Sequence, residues 1–343
     1  MQHIRLTLVG FGVVGQGFVE LLANKQAYLQ RRYGIWLTLV GVANARHGFI
    51  YRADGLDLSR LLQFAREGRP LTEQSDVGHW DSTLEGLNTT FTDILVEASP
   101  TNLRDAEPAL SHIRAALSRK IHVVTANKGP GALAAHELFE LAQLHGVQLR
   151  MESAVMAGTP VINTIREGMM GASITSIRGI LNGTTNYILS AMASGRDYAE
   201  VLADAQAQGY AETDPTADVE GYDAVAKTMI LAALVFNQPL RVDQVERQGI
   251  TAITQEQVQA ASDAGKRIKL IASLRQSVGS DELTASVKPL ALPLNDSLAR
   301  VDGAMNAISI QSDTLPDVTI IGPGAGRMET AQGLLADVLA CIR

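Results

Sequence analysis

Cysteine is nearly absent: Cys341 is the only one in 343 residues. It has no intrachain partner, so no disulfide framework supports this fold, and a reducing, cytoplasmic setting is expected. No run of like charge reaches five residues, and acids outnumber bases for a formal net charge of -7. Neither nucleic acid nor an anionic membrane is therefore an expected partner. The longest apolar run, Met229 to Phe236, is too short to cross a bilayer. The N-terminal stretch lacks the basic leader, long apolar core and small-residue cleavage site of a secretory signal. Internal repeats and low-complexity segments are missing as well.

What remains is ordinary globular composition, 46% hydrophobic and 19% charged. The length suggests two domains, or one domain with an insertion. Up to about residue 150, apolar runs alternate with helical patterns. Strands are expected at 4–9, 36–42, 93–97, 121–125 and 147–151, and helices at 13–29, 56–66, 102–117 and 132–144. This alternation predicts an α/β fold, a doubly wound, mostly parallel sheet covered on both faces. Residues 69–92 are polar and turn-rich and give no pattern. After Glu152 the order changes. Helices are expected at 159–167, 184–192, 198–206 and 217–236, and strands at 174–180, 268–274, 283–290, 306–311 and 318–321. That is an α+β layout, so one domain is expected over 1–150 and a second over 151–321. The tail, 322–343, reads as a turn and a helix that return to the first domain.

Gly10-Phe-Gly12-Val-Val14-Gly15 lies between the first strand and the first helix. This is the dinucleotide-binding arrangement. Gly10 permits the tight turn, Gly12 the approach of a pyrophosphate, and Gly15 close packing of helix on strand, while the helix N-terminus presents N–H groups to phosphate. The alternative is a strand–helix turn whose small residues serve packing alone. The second strand ends in Asn44, Arg46 and His47 where an NAD site would place a carboxylate. Arg46 suits a ribose 2′-phosphate, so NADP is the expected cofactor with NAD as the other option. Otherwise Arg46 is simply a solvated arginine. Lys128 follows the strand at 121–125, at the sheet edge where ligands of open α/β sheets bind. Ser99 to Asn102, including Thr101, closes the preceding strand at the same edge.

Gly209 to Lys227, GYAETDPTADVEGYDAVAK, carries Glu212, Asp214, Asp218 and Asp223 ahead of Lys227, which opens an apolar helix. Such charges are costly to bury unless paired with each other or with a ligand. Asp223 and Lys227 are four apart and share a helix face, and Asp218 is expected at the start of that helix. A lysine among carboxylates stays charged and can give a proton to a developing alkoxide. The other acids can bind a substrate ammonium. The competing interpretation is an exposed helix start with ordinary N-terminal acids. A nicotinamide-sensing regulatory protein would need the glycine turn but not this cluster. A related amino-acid dehydrogenase acting on another substrate also remains open, because the residues alone specify only a small molecule with an amino group and a carbonyl.

Together, GFGVVG, TANKG at 125–129, GTPVI at 158–162, GILNGTTNYIL at 179–189, the 209–227 segment and GPGAG at 322–326 resemble the homoserine dehydrogenase family over essentially the whole chain. The resemblance implies reversible, NAD(P)H-dependent reduction of L-aspartate 4-semialdehyde to L-homoserine in threonine and methionine biosynthesis. It implies a Rossmann-type NAD(P)-binding domain, a catalytic and dimerisation domain, and a homodimer. It assigns Lys227 as proton donor, Lys128 as its partner near the cofactor, and Asp218 as a supporting carboxylate. Glu212 and Asp223 would bind homoserine. Gly10, Gly12, Val14, Gly15, Thr101, Gly209 and Gly326 would lie against the cofactor. It also implies a monovalent cation such as Na+, held by Glu152, Val155, Ala157 and Thr159, mostly through backbone carbonyls. The chain reads AGTPVI where many relatives read GGIPI or AGLP, a change of little expected consequence because the backbone carries the role. A short form is expected, with neither a regulatory ACT domain nor an aspartate kinase segment.

Overall fold

The computed structural model describes residues 2–277, 279–280 and 282–342. Arg343, in the expected tail, lies outside them. The chain forms two compact units, one running to Gly158 and resuming at Gly326, the other spanning Thr159–Ala325.

In chain order the first unit holds β1 (Gln2–Val9), α1 (Val13–Tyr33), β2 (Ile35–Asn44) and β3 (Gly48–Tyr51). Then come α2 (Leu58–Arg66), β4 (Gly78–His79), α3 (Thr83–Thr89), β5 (Ile94–Glu97) and α4 (Ala109–Ser118). It continues with β6 (His122–Thr125), α5 (Lys128–Leu133), α6 (Ala135–His145), β7 (Leu149–Arg150) and α7 (Ser153–Met156). The second unit holds β8 (Ile174–Ile180), α8 (Gly183–Met192), α9 (Tyr198–Ala207), α10 (Thr216–Val219) and α11 (Tyr222–Val235). After these come β9 (Glu246–Arg247), α12 (Gln255–Asp263), β10 (Lys266–Gln276), β11 (Leu283–Pro293), β12 (Met305–Ser312) and β13 (Val318–Pro323). The last helix, α13 (Arg327–Cys341), belongs to the first unit.

Among the described residues, the first unit's sheet has seven strands in the order β4-β3-β2-β1-β5-β6-β7. β2, β1, β5, β6 and β7 pair in parallel, and β3 and β4 are antiparallel additions. The chain leaves β1 to one side for β2 and reaches its other neighbour only at β5. The loops after β1 and β5 therefore flank the switch-point crevice where open α/β sheets bind ligands. Leu6, Leu8, Phe18, Val42 and Val96 are wholly buried and form one core with Ala331, Leu334, Leu335 and Val338 of α13. The C-terminal helix is thus part of the N-terminal core. The hand-over at Gly158 falls past Arg150 because α7 is tied to α13. The Glu152 N–H donates to Asp337 Oδ2 at 2.8 Å and Ser153 Oγ to the Thr330 carbonyl at 2.9 Å.

Local chemistry sets several helix limits. Asp57 caps α2 by accepting from the Ser59 and Arg60 N–H groups. The expected helix at 102–117 begins only at Ala109. Asn102 and Asp105 spend their side chains on turn contacts, accepting from the Arg104 and Glu107 N–H groups, and Pro108 follows. In the patternless 69–92 stretch, Trp80 is buried and stacks on Tyr51 with ring centroids 5.5 Å apart.

Among the described residues, the second unit's sheet has the order β13-β12-β8-β10-β11-β9, antiparallel except where β9 meets β11. α8 packs on β10 and β12, and α11 on β10 and β11. The expected helix at 159–167 is present as a π-helical turn at Thr164–Gly168. The expected helix at 217–236 is two helices. Gly221, with φ 81°, caps α11 in the left-handed region that favours glycine and separates it from α10. Asp218 therefore lies in α10, not at the start of the helix carrying Asp223 and Lys227 as expected.

Leu334→Ala should cost about 2–5 kcal/mol by opening a cavity under a fully buried side chain. Denaturant titration would show this as an earlier unfolding transition of the first unit. An unchanged midpoint would mean that α13 is dispensable to that core.

Candidate active site

In the first unit, Phe11 is wholly buried and packs edge-on against His47, with ring centroids 6.1 Å apart, which pins the turn after β1. Gly10 has φ 92°, and a Cβ there would strike the Ala98 carbonyl on the loop after β5. A Cβ on Gly15 would strike the Gly10 carbonyl. At Gly12, among the described residues, no heavy atom lies within 4 Å of a Cβ position. That open space, with the first-turn N–H groups of α1 and no acid in that turn, fits an anionic pyrophosphate. Val14 is half-buried beside it. Arg46 is exposed in the turn after β2, where Asn44 Oδ1 accepts from the Arg46 and His47 N–H groups.

The loops after β5 and β6 are held together by Asn127. Its Nδ2 donates to the Ser99 and Pro100 carbonyls at 3.1 Å, and its Oδ1 caps α5 by accepting from the Gly129 N–H at 3.0 Å. Glu97, wholly buried, accepts from the Ser99 N–H at 2.8 Å and faces His112 Nδ1 at 3.0 Å. Thr101 is exposed, and the Lys128 N–H donates to its hydroxyl at 3.4 Å. Lys128 is the half-buried first residue of α5. Gly326 precedes α13, its carbonyl accepting from the Thr330 N–H and hydroxyl.

In the second unit the acid–lysine group is built on α8 and α11. Lys227 is 6% exposed; its Nζ donates to the Leu181 carbonyl at 2.7 Å and lies 2.8 Å from Asp223 Oδ2. Asn182 Nδ2 donates to Asp218 Oδ1 at 2.7 Å and to Asp223 Oδ2 at 3.1 Å. The other end of the Asn182 amide caps α8 by accepting from the Thr185 N–H at 2.9 Å. Thr184 Oγ1 lies 3.1 Å from Asp218 Oδ2 and donates to the Tyr210 carbonyl at 2.6 Å. Burial pushes the Asp218 carboxyl above the ordinary aspartate value, and the Asp223 charge adds to the rise. The Asn182 and Thr184 hydrogen bonds and Lys227 pull it back.

The four acids singled out in the sequence do not all converge. Asp218 and Asp223 meet at Asn182. Asp214 caps its own turn by accepting from the Thr216 N–H and hydroxyl, and Glu212 is exposed in the loop, its carbonyl accepting from Gln206. Gly209 ends the turn after α9 with φ 77°. Asn182, Thr184 and the Leu181 carbonyl were not singled out, though an Asn-Gly-Thr-Thr helix start is a readable capping signal.

Glu152, Val155 and Ala157 are buried in and beside α7, and Ala157 holds a left-handed backbone at φ 50°. Thr159, at the start of the second unit, donates its hydroxyl to the Pro323 carbonyl at 2.9 Å. Among the described residues no group of three or more His, Cys, Asp or Glu side chains is arranged to hold a metal, and no helix is long and apolar enough to cross a membrane.

The sequence and the fold recur in known proteins. Residues 160–339 match the family model "Homoserine dehydrogenase", and residues 10–152 match "Homoserine dehydrogenase, NAD binding domain". The NAD(+)-dependent homoserine dehydrogenase of Pseudomonas canavaninivorans is 41% identical, over 99% of this chain and 96% of that one. The homoserine dehydrogenase of Methanocaldococcus jannaschii is 37% identical over 97% of both. Among solved structures, a homoserine dehydrogenase from Thiobacillus denitrificans superposes with a TM-score of 0.84 at 33% identity, covering 100% of this chain and 74% of that one. A hyperthermophilic archaeal homoserine dehydrogenase in complex with NADPH gives 0.84 at 29% identity, over 99% and 98%. A phosphate-ready glycine turn in one unit and a buried lysine–carboxylate group in the other accompany near full-length similarity, and the chain belongs to the homoserine dehydrogenase family of nicotinamide-dependent oxidoreductases.

Proposed function

We propose that this chain interconverts L-aspartate 4-semialdehyde and L-homoserine, with Lys227 as the proton donor. The observation that carries the assignment is the buried Lys227 ammonium, held between the Leu181 carbonyl and Asp223. A bound nicotinamide supplies the hydride in reduction and takes it in oxidation. As the C–H bond forms, Lys227 gives a proton to the carbonyl oxygen and so prevents an alkoxide from accumulating; in oxidation it takes that proton back. Asp223 and Glu212 bind the substrate ammonium, and Asp218 steadies the charge of the group through Asn182. Lys128 stands at the cofactor side, with Gly10, Gly12, Val14, Gly15, Thr101, Gly209 and Gly326 against the cofactor.

NADP is the proposed coenzyme on the strength of Arg46, whose position after β2 suits a 2′-phosphate. The Pseudomonas relative is named for NAD(+) and the archaeal structure holds NADPH, so both remain in use among similar proteins. Backbone carbonyls of Glu152, Val155 and Ala157, with Thr159 two positions on, are the proposed donors for a monovalent cation such as Na+. The left-handed Ala157 backbone supports this, since such a conformation persists only where its surroundings hold it. The first unit, to Gly158 and from Gly326, is assigned to cofactor binding, and the second, Thr159–Ala325, to catalysis and dimerisation. The homodimer is supported by β13 at a sheet edge, with Ile321 54% exposed. A cytoplasmic location completes the proposal.

The direct test follows absorbance of the reduced cofactor when homoserine is mixed with NADP or NAD. Lys227→Ala should lower kcat by about 10²–10⁴-fold, the usual worth of a general acid, with cofactor affinity unchanged; near-normal turnover would remove Lys227 from the proton-donor role. Arg46→Glu should raise the KM for NADP by about 10- to 100-fold, the loss of a charged hydrogen bond, and leave that for NAD alone. A wild-type preference for NADH would overturn the NADP assignment. For Asp218 the folded value is raised. The stability linked to its protonated form is therefore present below the unfolded value, about 3.9, and is lost as pH rises through the folded one. Asp218→Asn should lose activity yet gain thermal midpoint relative to wild type on going from about pH 4 to about pH 8. A constant difference across that range would contradict the assignment of a strained acid.

A further inference from the structure

Lys269 sits in β10 with 1% of its surface exposed. Lysine is almost never so deeply buried unless it is paired. Its Nζ donates to Asn186 Oδ1 at 3.0 Å, Ser190 Oγ at 3.1 Å and the Val301 carbonyl at 2.7 Å, and lies 3.0 Å from Asp302 Oδ1. Asp302 is 68% exposed, so neutral oxygens rather than a buried counter-charge meet most of this ammonium. Burial pushes the amine below its ordinary value, and Asp302 offsets only part of that. A methionine at this position would avoid the desolvation cost, and buried ion pairs seldom add net stability over packed apolar residues. Core stability therefore does not account for the lysine.

The contacts lead towards the reactive group. Asn182, the cap of α8, and Asn186 and Ser190 within it are spaced four apart and share one stripe. Asn186 Nδ2 donates to the Val301 carbonyl at 3.0 Å and the Met305 carbonyl at 2.9 Å, so the segment entering β12 is fastened to the same stripe. Within that segment the Ala304 carbonyl abuts Gly183: a Cβ on Gly183 would lie 2.6 Å from it. Gly183 is the first residue of α8, directly after Asn182, whose amide carries Asp218 and Asp223. We infer that Lys269 is a positioning residue for the reaction: it locks α8 and residues 301–305 into one register and so sets where Asn182 holds the two catalytic-group carboxylates. This rests on the substrate-site reading of Asp218, Asp223 and Lys227 given above.

The test compares wild type with Lys269→Met, Asp302→Asn and Ser190→Ala. Homoserine KM and kcat, reduced-cofactor affinity by fluorescence, and amide hydrogen exchange over residues 182–186 are measured for each. Lys269→Met should lower kcat/KM for homoserine by about 10²-fold, the scale of a misplacement of about 1 Å arising away from the chemistry. Its cofactor affinity should hold within about twofold, and exchange at Thr185 should speed up. Asp302→Asn and Ser190→Ala, which remove single partners, should each raise homoserine KM by about threefold, roughly half a tenfold step in free energy, and they keep the test open if Lys269→Met does not fold. Unchanged kcat/KM in folded Lys269→Met, or in both milder variants, overturns the inference. So does a loss of cofactor affinity equal to the loss for homoserine, which marks general loosening. If wild type fails to oxidise homoserine, the substrate reading fails by itself; the exchange arm then decides for Lys269, unchanged rates at Thr185 overturning its role and faster rates supporting it.

Discussion

Two carboxylates and one ammonium, packed where an apolar helix meets a sheet, are the constraint around which the second unit is arranged. Like charges so placed repel, and each loses hydration that only hydrogen bonds and the opposite charge can replace. A single asparagine amide resolves this. Asn182 gives its two-donor end to Asp218 and Asp223 and its acceptor end to the N-terminus of α8. Its orientation is thereby fixed by backbone, and the acids inherit that orientation. Lys227 completes the set by bridging Asp223 to the Leu181 carbonyl, one residue before the asparagine. The proton-donor role proposed for Lys227 would require this kind of rigidity, because the aim of a donor depends on neighbours that do not relax.

The first unit meets a different constraint. Its ligand is an anion, so the device is bare backbone. Glycines let β1 turn sharply into α1, and a parallel sheet brings the next two loops to the same edge. Asn127 there resembles Asn182 in what it does. One amide ties two loop carbonyls and caps the following helix. In each unit an asparagine converts a helix start into a fixed platform, and Lys128 and the Asp218–Asp223 pair stand on those platforms.

Where the sequence was hard to read, the reason is physical in each case. Residues 69–92 carry little periodicity because their strand, β4, is a two-residue edge strand and Trp80 is ordered by lying on Tyr51 of β3, a contact distant in sequence. α12 has a weak apolar pattern because Val258 is its one buried residue, although its Thr254–Gln257 capping box is legible. The 217–236 stretch reads as one helix because Gly221 looks harmless in an apolar pattern; its left-handed backbone is what separates α10 from α11. Lys269 gives no signal, since one lysine in a strand pattern reads as solvated until α8 and the 301–302 segment are found to close over it.

By itself, the sequence determined what nearest neighbours and periodicity control. These are the parallel-sheet alternation, the glycine turn opening α1, the i,i+4 pairing of Asp223 with Lys227, and the helix that ends the chain. Tertiary structure decided which acids converge. Asp218 reaches Asn182 across thirty-six positions of sequence, whereas Asp214, nearer to Lys227 than Asn182 is, turns back to cap its own loop. Spacing along a chain reports who shares a face of one element. Only packing between elements selects which buried charge finds a donor, because that choice depends on distances no local pattern encodes.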